Sequence, residues 1–187
     1  MLLSADFAPL LQAAHRLADD IVHRRVVTVV SDAAEGYNPS HDACALLAQA
    51  AAASARRRGQ PVRTFEFDVV RMRGSASIAG AIRHDLTDPE LDAKIRMARA
   101  YAQESGPVLV AEVDDMLRQH GRDAFREEWL VPSPPIPLAA RFAGAPPFFE
   151  RHGARRVHEG KYADVVRLEH LLPLERALAD WARGAAA

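Results

Sequence analysis

The residues best able to do chemistry in this chain crowd into one stretch, Asp32-x-x-Glu35-Gly36-Tyr37-Asn38-Pro39-x-His41-Asp42. A histidine beside several carboxylates is a metal-ligand or general-base constellation. Neutral imidazole donates a nitrogen to zinc or accepts a proton near neutral pH, and a carboxylate adds an oxygen donor or orients the ring. The same residue types also serve the plain purpose of starting a helix, because Asn, Ser and Asp side chains accept from the first free N–H groups.

The flanking elements decide where such a loop must lie. Val26 to Val30 is a continuous β-branched run, the pattern of a strand buried on both faces. Beyond the loop, Ser40 or Asn38 is placed to cap a helix that begins at His41, runs through an alanine-rich segment to Arg58 and stops at Gly59. Arg56, Arg57 and Arg58 then match the negative end of its dipole. Val62 to Val70 alternates as a second strand with Phe65 and Phe67 on one face. Strand, helix and strand at this spacing predict a right-handed crossover and parallel pairing. Ligands in open α/β sheets bind at the carboxyl edge, which is where this loop falls.

Upstream, Phe7, Leu10, Leu11, Ala14, Leu17, Ile21 and Val22 recur at helical spacing, with Asp6 or Ser4 as the cap. Residues 71–86 read as irregular, with a short extended piece. Asp88 with Pro89 and Glu90 opens a helix through Leu91, Ile95, Ala98 and Tyr101, and Pro107 opens another that ends at Gly121. Phe125 to Trp129 reads as a further helical turn or two. Six prolines between Val131 and Pro147 predict an extended arm. The tail is helical around Phe149, from Tyr162 to Leu172 and, after a break at Pro173, from Leu174 to Ala182. The domain reading is an α/β domain over 1–130, the proline-rich arm over 131–147 and a helical tail over 148–187.

Composition narrows the function classes. Lys+Arg 24 against Asp+Glu 25 leaves a net charge of -1 across 187 residues, so bulk electrostatics give no case for a nucleic-acid partner. No apolar run approaches a membrane span, and the N-terminus lacks a signal-peptide pattern. The lone cysteine, Cys44, excludes an internal disulfide and fits a reducing cytoplasm; near the start of an alanine-rich helix it reads as a small core residue.

Ser31 to Asp42 resembles the C-terminal signature of the PIG-L/LmbE family of zinc-dependent N-deacetylases, Thr-His-x-x-Glu-Gly-x-His-Pro-Asp-His-Asp, with Glu35, Gly36, Pro39, His41 and Asp42 matching without a gap. Leu86-Thr87-Asp88-Pro89-Glu90-Leu91-x-x-Lys94 is similar to the family's next helix. The resemblance covers roughly residues 10–130. It implies a partial Rossmann-like parallel sheet flanked by helices, with a helical C-terminal region. It also implies hydrolysis of an N-acetyl-sugar amide by metal-activated water.

By the resemblance His41 is a zinc ligand. Asn38 stands where the family has an oxyanion-stabilising histidine, and Asp32 where it has the signature's first histidine; both are catalytic candidates. Glu35 and Tyr37 are the substrate-binding candidates. The family's N-terminal Pro-His-Pro-Asp-Asp-Glu-like motif, which carries the remaining ligands and the base, is absent. The expectation is therefore a zinc site that is incomplete or empty in the isolated chain, and a protein resembling the C-terminal part of a longer one. Three readings follow: a deacetylase homologue inactive alone, a sugar- or nucleotide-binding or scaffolding subunit, or a split enzyme whose partner supplies the missing motif. The expected partners are an N-acetyl-sugar-like small molecule and a second copy or partner subunit, with no nucleic acid, no membrane and a cytoplasmic location.

Overall fold

The outermost strand of the sheet is Thr28–Asp32, two residues further along than the Val26–Val30 run, and everything that positions the candidate loop follows from what pairs and packs there. The computed structural model describes residues 2–70, 78–133 and 137–184. In chain order the elements are α1 (Ala8–His23), β1 (Thr28–Asp32), α2 (Pro39–Arg57), β2 (Arg63–Phe67), β3 (Ile82–Asp85), α3 (Asp88–Ser105), α4 (Pro107–His120), a 3-10 turn (Arg122–Phe125), β4 (Glu127–Pro132), α5 (Leu138–Arg141), α6 (Phe148–His158) and α7 (Leu168–Arg183). The class is α/β: a mixed sheet in the order β1-β2-β4-β3, with helices around it. No helix among the described residues is long and apolar enough to cross a membrane.

The chain forms two units. The first takes residues 2–80 and 131–184. Here β1 and β2 pair in parallel, Val30 opposite Phe65 and Asp32 opposite Phe67, with α2 as the crossover. The parallel pair is the one the spacing predicts. The sheet departs from an all-parallel one where the last residues of β4 run antiparallel to β2, with Phe65 opposite Pro132.

In this unit β1 pairs with β2 and packs on α2. That corrects the expectation of a strand buried on both faces: Val27 is 60% and Val30 43% exposed. A β-branched run records a preference for extended backbone, and burial on the second face requires a partner that the run does not specify.

The core gathers around α2, which packs on α1 and α7 and, through Ala51, Ala52 and Ala55, joins a cluster with Val62 and Val29. Ala43, Ala45, Ala48, Ala51, Ala52 and Ala55 are buried, and their small side chains let α1 and α7 approach the helix closely. Ala14, Ala18 and Ile21 of α1 and Leu171, Leu174 and Leu178 of α7 fill the space. Each fully buried leucine contributes on the order of 1.5–3 kcal/mol. Pro173 lies inside α7 rather than breaking it, because the apolar residues on both sides of it are held by this packing. Cys44 is exposed, not a core residue.

The second unit, residues 81–130, holds β3, α3, α4 and the first residues of β4. β3 and β4 are antiparallel, with Arg83 opposite Trp129. The segment read as extra helical turns after Phe125 is therefore a strand. Its hydrogen-bond partners are remote in sequence, and the β3 residues Ile82–Asp85 are all exposed and give no periodic signal. Arg83 bridges the pair, 2.9 Å from a Glu127 oxygen and over the Trp129 ring. The cap of α3 is Thr87, one residue before the expected Asp88, in a reciprocal box with Glu90. Most of the irregular stretch expected before β3, residues 71–77, lies outside the described residues. So does part of the proline-rich arm, where α5 forms a helical turn in place of a fully extended segment.

Candidate functional site at the carboxyl end of β1

The ladder between β1 and β2 closes with the Ala33 N–H donating to the Phe67 carbonyl at 2.8 Å, and there the chain leaves the sheet. Ala33 and Ala34 are buried. The next residues each find a backbone partner. The Glu35 carboxylate accepts from the Val69 and Val70 N–H groups at 2.6 and 3.1 Å, tying the loop to the segment that follows β2. The Gly36 N–H lies 3.2 Å from both oxygens of Asp42, and its carbonyl accepts from Phe149 N–H at 3.0 Å.

Gly36 has φ +70, a left-handed conformation open to glycine. A Cβ there would stand 2.7 Å from the Phe142 ring and 2.9 Å from Pro147. Both the turn and the cover formed by Phe142 and Pro147 therefore require glycine.

Asn38 is the N-cap of α2 and its side chain accepts from Ser40 N–H at 2.9 Å, with Pro39 at the first helical position, where its missing N–H costs nothing. Asp42 sits in the first turn and is wholly buried. Burial pushes its carboxyl up to about 6. Backbone hydrogen bonds from Gly36 and Glu35 oppose that shift, the Glu35 charge adds to it, and the Arg141 guanidinium reduces it.

Of the five residues singled out from the sequence, the structure brings His41 and Asp32 together. The His41 Nδ1 lies 3.4 Å from an Asp32 oxygen, and the two side chains are 37% and 23% exposed. The two groups approach without forming a hydrogen bond, and the Nδ1 atom is shielded from solvent. Asn38 works as a cap and Glu35 as a loop anchor, so neither is placed as a free catalytic group. Tyr37 turns its ring onto Phe148, with centroids 5.2 Å apart and planes within 9°.

Cys44 follows His41 by one helical turn. Desolvation, and then the Asp32 charge, push its thiol pKa up, which opposes a nucleophilic thiolate. A catalytic zinc takes three protein ligands and an open position. Among the described residues no group of three or more His, Cys, Asp or Glu side chains is arranged to hold a metal.

Behind the loop lies a polar cluster that sequence reasoning missed. Glu66 is 5% exposed and pairs with Arg141 at 3.2 Å. Ser133 donates to Glu66 at 3.3 Å and accepts from the Gln49 amide at 2.8 Å. The one signal available was a carboxylate between Phe65 and Phe67, on the strand face that alternates with theirs. No family model, no curated protein and no solved structure matches this chain.

Proposed function

We propose that the protein is a PIG-L/LmbE-like N-deacetylase homologue on a partial Rossmann-like sheet, whose loop binds an N-acetyl-sugar-like small molecule without hydrolysing it unaided. The observation that carries this reading is the division of labour in the loop. Glu35, Asn38 and Asp42 hold backbone N–H groups, while His41 and Asp32 form a partly exposed pair at the end of β1. A paired imidazole and carboxylate offer a donor and an acceptor to a ligand amide or hydroxyl. Efficient amide hydrolysis further needs an activated water and an oxyanion site, and two donors do not assemble a zinc-bound water.

The test is titration of the full chain with N-acetylglucosamine, followed by amide chemical shifts, together with an acetate-release assay in added zinc. Binding that weakens about fivefold or more in His41→Ala, with no acetate released, is the expected result. Absence of binding removes the reading. Acetate release that depends on His41 makes the chain an enzyme. Release only after adding a second chain carrying a His-Pro-Asp-Asp motif identifies a split enzyme.

A further inference from the structure

The first unit carries a row of exposed rings outside the His41–Asp32 pair. Tyr37 stacks on Phe148, Phe148 lies 5.5 Å from the His152 ring at 35°, and His152 lies 6.5 Å from Tyr162 at 58°. The Arg156 guanidinium stands 5.6 Å from the Tyr162 centroid. Tyr37, Phe148 and Tyr162 are 36%, 42% and 49% exposed, so the rings sit at the surface instead of filling the core.

The helix beneath them arranges cations on the same side. Phe149 and Gly153 form the buried face of α6. Phe148, Arg151, His152 and Arg155 follow one another at helical spacing on the outer face. Arg155 lies 3.2 Å from the His152 ring nitrogen, and its side chain is 64% exposed. The nearby carboxylates are engaged: Glu150 accepts from Leu168 N–H, and Glu159 bonds Arg156 and Lys161 at 2.9 and 3.1 Å and stands 3.9 Å from Arg155 Nε, a longer contact that a phosphate can replace.

We infer that this face of α6 binds a nucleoside monophosphate, its base stacked on the Tyr37 and Phe148 rings and its phosphate held by Arg151 and Arg155. A flat π-system is the natural complement of an exposed ring stack, and an anion is the complement of cations on the same face. A neutral sugar would use the rings and leave the arginines idle. A polynucleotide needs a basic track several residues long, whereas the whole chain is at net charge -1 and Glu159 closes this row. The inference does not rest on the His41–Asp32 pair.

The experiment titrates the full chain with AMP, adenosine and ribose 5-phosphate by calorimetry. AMP is expected to saturate, and each half to bind more weakly. Phe148→Leu keeps an apolar side chain without the ring and is expected to weaken AMP and adenosine by about fivefold or more, with Phe148→Tyr retaining both. Arg151→Ala with Arg155→Ala is expected to weaken AMP and leave adenosine unchanged. Circular dichroism checks that each variant is folded. No saturable AMP binding at millimolar concentration, or wild-type affinity in folded Phe148→Leu, overturns the proposal. Ribose 5-phosphate binding as well as AMP reduces the face to a general anion patch, and a short single-stranded oligonucleotide binding more tightly than AMP replaces the mononucleotide with a polymer; either result overturns it.

Discussion

At the scale of single residues, the loop before α2 is held by a carboxylate that burial makes reluctant to ionise. Asp42 has a folded pKa of about 6 against 3.8 for the free side chain. A carboxyl with a raised folded pKa binds its proton more tightly in the native state than in the unfolded one. Its contribution therefore favours folding as pH falls from about 7 toward 4, and is lost as pH rises through about 6. The difference is on the order of 3 kcal/mol. Asp42→Asn keeps one oxygen for the Gly36 N–H and removes the charge. The expected outcome is a urea midpoint that is higher at pH 5 than at pH 7 in the natural protein by more than in the variant. An unchanged pH slope in Asp42→Asn contradicts the assignment of that titration to this residue.

At the scale of elements, the short helix α5 is tied to β2 by the ion pair between Arg141 and Glu66, whose side chains are 15% and 7% exposed. Two charges withdrawn from water tolerate each other because they are paired and because Ser133 adds a hydrogen bond to the carboxylate. Arg141→Met leaves Glu66 as an uncompensated buried charge and is expected to cost about 3–5 kcal/mol. Arg141→Met combined with Glu66→Met removes both charges and is expected to recover most of that loss. Chemical denaturation of the two variants measures it, and a double variant as unstable as the single one shows that the pair is not coupled.

At the scale of the whole molecule, the two units differ sharply in how much they bury. The first contains the α1, α2 and α7 core. The buried residues of the second, among those described, are Leu91 and Ala102, and α4 has none. Local stability follows buried apolar contact, so amides in α3 and α4 are expected to exchange with solvent faster than those in α2 and α7. Leu91→Ala is expected to cost about 2–5 kcal/mol within the second unit and to raise exchange across α3 and α4, with α2 and α7 protected as before. Hydrogen exchange read by mass spectrometry distinguishes this from uniform loss of protection in both units, which would mean that the chain opens as one body.

The strand, loop and helix from Val26 to Arg57 were legible in the sequence because their determinants are local. A β-branched run favours extended backbone, Asn38 and Pro39 start a helix by capping and a preset φ, and the parallel partner follows from the length of the crossover. The placing of Asp32 and His41 at the two ends of one loop was legible for the same reason, since both ends are set by those elements. What each remaining polar side chain does was not. Asp42 turns inward to Gly36, Glu35 reaches the segment after β2, and Glu66 meets Arg141 across 75 positions of sequence, all set by which surfaces close over them. The strand character of Glu127–Pro132 and the unbroken helix through Pro173 also belong to tertiary structure. A ladder of hydrogen bonds from β3 and β2, and a leucine face packed on α2, each outweigh the local preference that pointed elsewhere.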